Sequence, residues 1–284
     1  KVSANAHSGS VNIQINYTPA PISLLDRCSN FIMQMLYTAG SLHTGKNKRV
    51  IFTSESRSEP GGNMEFVLRK GAESDFSGKK CVLSFKRGSR AAFYIRTAFL
   101  LGSCNTVVID DYFPLIYRLK FRKGIRIFQL WHSCGAFKAV GFSRAGLKGA
   151  PRIDSNTHRC YTHAIVSGEN IRPYYAEAFG IPISNVYATG IPRTDMFFDS
   201  EYAQKKKKEF ADMLPQFNGK RIIIFAPTFR GSGSHSAYYP ADMIDFPKLA
   251  DLCRKTNSAV IFKVHPFVHD FTVPHGYGDV FADL

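Results

Sequence analysis

An α/β fold built from parallel βαβ units is what this sequence predicts, and three observations predict it. Short apolar runs rich in Val, Ile and Phe alternate with stretches of helical periodicity along most of the chain. Three of those runs, at residues 125–128, 221–225 and 259–262, lead directly into segments carrying His, Arg, Lys and Gly. At 284 residues and 44% hydrophobic, the chain is long enough to bury the cores of two domains.

The elements follow in order. Residues 11–17 alternate apolar and polar, as a half-exposed strand does, so residues 1–22 read as a β remnant ahead of the main fold. Residues 23–42 predict a helix with Ile32, Met33, Leu36 and Tyr37 on one face and Gly40 near its end. Residues 49–53 form a short buried strand, followed by a loop over 54–63 containing Pro60, Gly61 and Gly62. A strand over 81–85, a helix over 90–101 and a strand over 106–110 come next, and residues 112–119 begin a helix. The strand at 125–128 runs into Trp131 and His132. Residues 142–160, punctuated by Gly146, Gly149 and Pro151, read as a mobile connection or lid. A change of half is expected near residues 162–167, giving an N-terminal domain over 23–161 and a C-terminal domain over 162–284. That second half is read as a helix over 169–179, a strand over 185–190, a helix beginning at Pro192 and another over 201–213. The strands at 221 and 259 then flank a helix over 246–255.

Ligands of open α/β sheets bind outside the C-terminal ends of the strands, which is where these cationic endings fall. His132 is placed to accept a proton near neutral pH. A lone His there would be an ordinary strand-end histidine. Its company changes the reading: Thr228 and Arg230 open a small-residue loop over 231–234 suited to phosphate, and Lys263 and His265 close the last strand. By strand parity Lys263 and His265 share a face, with Val264 opposed. Arg193 sits at a helix start, a favourable anion position, or forms a surface ion pair with Asp195. Asp110 and Asp111, at a strand end, are either bases or caps and rank below His132.

Four segments carry a family resemblance: Gln129-x-Trp131-His132-x-x-Gly135-x-x-Lys138, Thr189-Gly-Ile-Pro-Arg-Thr-Asp195, Ala226-Pro-Thr-Phe-Arg230 and Lys263-Val-His-Pro266. In order and spacing they resemble the CDP-glycerol:poly(glycerophosphate) glycerophosphotransferases, the teichoic-acid polymerases and primases with their ribitol-phosphate and capsule-polymer relatives. The resemblance runs from about Thr53 to the C-terminus. It implies a GT-B-like architecture of two Rossmann-like halves facing a cleft, the second incomplete because the chain stops before the family's Thr-Asp-Tyr-Ser-Ser type motif.

The implied reaction moves glycerol phosphate or ribitol phosphate from CDP-glycerol or CDP-ribitol to the hydroxyl end of a lipid-linked polymer, releasing CMP. His132 would be the base, and His265 with Arg230, Thr228, Arg193 and Lys263 would hold the donor diphosphate. Gly62, Asn63 and Lys138 would lie on the acceptor side. No metal and no cofactor are implied, and the expected place is peripheral, at the cytoplasmic face of a bacterial membrane. A GT-B glycosyltransferase using a nucleotide sugar is the alternative, although Trp131-His132 with Lys263-Val-His265-Pro266 fits it less well.

Charge and cysteines fit this picture. The formal net charge is +15, densest at residues 46–49, 118–126 and 205–208. Nucleic acid is disfavoured because no recognition motif accompanies the charge, whereas an anionic membrane surface and an anionic polymer draw on the same electrostatics. A purely binding protein would explain the charge but not the gathering of His and Arg at strand ends. Six scattered cysteines (28, 81, 104, 134, 160 and 253) with no CxxC pair argue for a reducing compartment over a zinc site or disulfide framework. No apolar run reaches the roughly 18 to 20 residues of a spanning helix.

Overall fold

The structure is a computed structural model that describes residues 2–7, 10–15, 22–43, 45–46, 49–73, 80–231 and 235–284. Two units divide it, Lys1–Phe198 and Asp199–Leu284. Strands β1 (Val2–His7) and β2 (Ser10–Ile15) pair antiparallel, so the expected N-terminal β element is a hairpin; Tyr17 of the predicted strand lies outside the described residues.

Helix α1 (Leu24–Ser41) begins where the Ser23 hydroxyl accepts the Asp26 N–H at 3.1 Å, an N-cap that satisfies a donor the helix itself leaves free. Its buried face is Met33, Tyr37 and Gly40, while Leu25, Phe31, Ile32 and Met35 stay exposed. Next come β3 (Arg49–Ser54), α2 (Asn63–Glu73), β4 (Lys80–Phe85), α3 (Arg90–Gly102), β5 (Thr106–Ile109), α4 (Pro114–Tyr117), β6 (Arg126–Gln129), β7 (His163–Ile165), α5 (Arg172–Phe179) and β8 (Val186–Tyr187). The six strands β3 to β8 form one sheet in the order β4-β3-β5-β6-β7-β8, every neighbouring pair parallel. Strand β5 is buried throughout and β3 from Val50 onward, which is why these two read as unbroken apolar runs rather than alternating ones.

Three expectations change. The boundary drawn near residue 162 moves to residue 198, because β7 and β8 extend the first sheet beyond β6 and the chain leaves that unit only afterwards. Helix α2 follows directly on the 54–63 loop and escaped the pattern because it is short and carries Gly71, although Met64 and Phe66 bury its inner face. The long strand expected at 185–190 is two residues, and the helix expected at Pro192 is a single 3-10 stretch, Pro192–Phe197. The connection read as a lid is anchored at its C-terminal end, where His158 and Tyr161 are buried.

The second unit contains α6 (Ser200–Met213), β9 (Arg221–Phe225), α7 (Phe246–Lys255), β10 (Ser258–Phe262) and β11 (Phe281–Asp283). Its sheet is parallel, in the order β11-β10-β9, and packs around Phe246, Phe262, Val280 and Phe281. Strand β11 had no forecast; with three residues it is too short for periodicity to reveal. Strands β9 and β11 are its two edge strands among the described residues, and in β9 Ile223 is 44% and Ile224 67% exposed. All six cysteines are free thiols.

Helices α1 and α3 touch backbone to backbone. A Cβ on Gly102 would lie 1.9 Å from the Tyr37 carbonyl oxygen, and one on Gly40 2.0 Å from that of Phe99. Neither neighbour is a side chain that can swing away. Gly102→Ala is therefore expected to destabilise the chain by about 1–3 kcal/mol or more, read as a lower denaturant midpoint. An unchanged midpoint would mean that the helices separate freely at this crossing.

Candidate active site

The first cluster forms where β6 ends. Gln129, fully buried, turns its side chain back along the chain: its Nε2 donates to the Asp111 carbonyl at 3.1 Å and its Oε1 accepts the Trp131 N–H at 2.8 Å. Trp131 is consequently held in left-handed backbone, φ 50°, a conformation costly for a bulky residue. Its indole is buried and forms a floor under His132, the two rings stacked at 4.5 Å and 22°. His132 itself is accessible, and its Nδ1 lies 3.6 Å from Asp111 Oδ1. That distance is an ion-pair approach rather than a hydrogen bond, so Asp111 acts on the ring through charge.

Asn63 ties this loop to two others. Its side-chain amide donates to the carbonyls of Leu130 and Trp131, while its Oδ1 accepts the Arg193 N–H at 3.1 Å. The Arg193 guanidinium in turn donates to the His132 carbonyl. Gly62, the residue before Asn63, is left-handed with φ +56°, and a Cβ there would sit 3.0 Å from the Arg57 guanidinium. The structure thus brings together His132, Gly62, Asn63 and Arg193. Arg193, expected among donor-side residues, belongs to the first unit and is not paired with Asp195; its guanidinium is spent on the histidine loop.

Behind the Trp131 ring stands a buried polar chain. His158 Nδ1 is 2.9 Å from the Tyr161 hydroxyl and 3.3 Å from that of Tyr117, and the two hydroxyls are 2.5 Å apart. Desolvation pushes the His158 pKa down to about 4, so its ring is neutral at physiological pH. Lys138 is exposed on the segment that follows His132.

The remaining expected residues lie in the second unit. Lys263, Val264 and His265 come just after β10; Lys263 is exposed and its N–H donates to the Phe225 carbonyl at 2.9 Å. Val264 packs toward the core, opposite Lys263, as parity required. His265 sits between Phe229 and Phe267, at 4.7 and 4.6 Å, and its Nδ1 accepts the Phe267 N–H at 3.2 Å. In the neutral ring that leaves Nε2 as the protonated, donating nitrogen. Thr228 and Arg230 are exposed, and the Arg230 backbone pairs with Tyr238 to close the small-residue loop, of which 232–234 lie outside the described residues.

Asp110, read from its strand-end position as a base or a cap, pairs with Arg57, which the sequence did not single out. Asp110 is 1% exposed, its Oδ2 is 3.4 Å from Arg57 Nε, and its Oδ1 has no hydrogen-bond partner among the described residues. Burial raises its pKa from 3.8 to about 6, with Arg57 opposing the shift. The fold therefore favours the protonated acid: the stability this group contributes is complete below about pH 4 and is lost as pH rises through about 6. Asp110→Asn should flatten that fall, which is on the order of 1 kcal/mol per pH unit at most, in thermal melts recorded from pH 4 to 7. An unaltered slope would assign the titration elsewhere.

Comparison with known proteins agrees with this geometry. The model of the CDP-Glycerol:Poly(glycerophosphate) glycerophosphotransferase family matches residues 35–284. The teichoic acid ribitol-phosphate polymerase TarL of Staphylococcus aureus is 46% identical over 246 residues, 84% of this chain and 43% of that protein. TarK of the same organism is 48% identical over 234 residues, 80% of this chain and 45% of that protein. The teichoic acid poly(ribitol-phosphate) polymerase of Bacillus spizizenii is 43% identical, over 84% of this chain and 39% of that protein. The chain thus spans less than half the length of these relatives. In fold it is similar to the wall teichoic acid polymerase TagF, with TM-score 0.64 and 14% identity over 91% of this chain and 68% of that one. By the extent of the family match and the identity of these relatives, this α/β, GT-B-like chain belongs to the CDP-glycerol:poly(glycerophosphate) glycerophosphotransferase family.

Proposed function

We propose that the protein containing this chain polymerises ribitol phosphate: it moves ribitol phosphate from CDP-ribitol to the hydroxyl end of a lipid-linked teichoic-acid chain. One observation carries the choice of polyol. The relatives at 43–48% identity are named ribitol-phosphate polymerases, whereas those named glycerol-phosphate primases are 22–30% identical. The work site is the membrane surface, approached from the cytoplasmic side, and the +15 net charge favours both an anionic bilayer and an anionic polymer. Among the described residues no helix is long and apolar enough to cross a membrane, which fits peripheral attachment.

In this reading His132 takes the proton of the acceptor hydroxyl, whose oxygen attacks the ribitol-bearing phosphorus. The bond from that phosphorus to the bridging oxygen breaks, and CMP leaves. Asp111, 3.6 Å from Nδ1, stabilises the imidazolium that forms and keeps Nε2 turned to the substrate. Arg193 and Asn63 hold the histidine loop in place. In the second unit His265, with its Nδ1 occupied by the Phe267 N–H, offers Nε2–H to a diphosphate oxygen, and exposed Arg230, Thr228 and Lys263 supply further donors. Phosphoryl transfer asks for little more than such positioning and charge.

The decisive measurement is CMP release by the natural full-length protein from CDP-ribitol and from CDP-glycerol, with a polyol-phosphate-primed lipid acceptor. Acceptor-dependent release from CDP-ribitol is the expected result. Release from neither donor would overturn the transferase, and release from CDP-glycerol alone would overturn the polyol. His132→Ala is expected to lower turnover by roughly 10² to 10⁴ with donor affinity kept. His265→Ala should weaken donor affinity as well as rate, and unchanged affinity would remove it from the diphosphate site. Asp111→Asn should lower kcat about tenfold with little change in either KM; normal kcat would reduce Asp111 to a cap.

A further inference from the structure

Trp131, whose ring stacks on His132, also lines a cavity of about 470 Å³ in the first unit, together with Tyr112, Lys138, Arg144, Thr157 and His158. That is within the roughly 300–1,000 Å³ of small-molecule sites. No Asp or Glu lines it. Lys138 makes no hydrogen bond or ion pair with another described residue, and Arg144 spends one N–H on the Lys148 carbonyl at 2.9 Å. Trp131 contributes its ring to the wall, while its indole N–H is buried and has no acceptor among the described residues. The His158 wall is neutral and fixed by the Tyr117 and Tyr161 hydroxyls, so the positive charge of the cavity comes from Lys138 and Arg144 alone.

We propose that this cavity is a subsite for a phosphodiester of the acceptor polymer, held by Lys138 and Arg144 beside the Trp131 indole. The inference rests on the transferase reading and extends it from the attacking hydroxyl to the unit behind it. A growing polyol-phosphate end carries its hydroxyl and its nearest phosphate at opposite ends of one polyol. Trp131 lines the cavity and stacks on His132 with ring centroids 4.5 Å apart, so one side chain touches both groups. Two cations without a carboxylate suit a singly charged diester, and the polar aromatic walls of Tyr112 and Trp131 suit a polyol backbone. Binding there would bring the hydroxyl to the base through contacts remote from the reacting phosphorus.

The test splits acceptor from donor. In the full-length protein, Lys138→Ala is expected to raise the acceptor KM about tenfold, the scale of one lost charge-assisted contact, with donor KM unchanged. Arg144→Ala, the second cation of the cavity, should raise it several-fold. Unchanged acceptor KM in Lys138→Ala, or a rise in donor KM instead, would overturn the subsite. A second readout needs no turnover. Trp131 lines the cavity, so the part of the protein's emission that Trp131→Phe removes reports on it. Titration with soluble glycerophosphoglycerol or its ribitol counterpart should change that emission, and Lys138→Ala should weaken the response about tenfold. A response that Lys138→Ala abolishes, in a protein that releases no CMP, would keep the subsite and sink the transferase. Acceptor-dependent CMP release without any response, and with a normal Lys138→Ala KM, would do the reverse.

Discussion

One buried amide holds the first site together. Asn63 reaches the carbonyls of Leu130 and Trp131 with its NH₂ group and the Arg193 N–H with its carbonyl, so a single side chain joins the ends of three parallel strands. Strand ends are where ladder bonds run out, and buried backbone groups there must find side chains or water. Asn63 is 2% exposed, so its amide has no water to fall back on. Gln129 completes the arrangement by fixing the Trp131 N–H. The geometry of His132 depends on these bonds more than on any bond of its own.

The same economy explains the charges. Cations near the site are divided between those that build and those that remain available. Arg193 donates to the His132 carbonyl, and Arg122 to the carbonyls of Gly102 and Cys104, so part of the basic run at 118–126 is structural. Lys138, Lys263 and Arg230 stay exposed. Asp110 shows the opposite case: a carboxyl whose desolvation outweighs its nearby guanidinium, and which the fold therefore prefers protonated.

What the sequence disclosed follows from what each signal measures. The long apolar runs of β3, β5, β6, β9 and β10 and the helices α1, α3, α6 and α7 were legible because burial imposes a period over many residues. Strand β8, two residues long, and β11, three, impose none. The unit boundary was misplaced because a parallel strand looks the same whichever sheet receives it, and β7 and β8 join the first. His132 and Asn63 stood out through their motifs or loop chemistry, yet their connection across 67 to 68 positions, from Asn63 to the carbonyls of Leu130 and Trp131, is a property of the sheet order. Arg193 was recognised as cationic, but residue type does not say whether a guanidinium faces a ligand or a neighbouring carbonyl, and here one of its N–H groups goes to the His132 carbonyl. The Tyr117–Tyr161–His158 chain gave no signal, its members being ordinary core aromatics until the fold packs them.

The edge strand β9 has a colloidal consequence. Its unpaired edge presents backbone donors and acceptors, and Ile223 and Ile224 beside it offer apolar cover to any strand that docks. Self-repulsion from the +15 net charge opposes such docking between copies of this chain. That repulsion is long-ranged only in dilute salt: the screening length shrinks to about 8 Å at physiological ionic strength, while the edge and its isoleucines act at contact. Added salt therefore lowers the barrier to such docking and leaves the contact attraction in place.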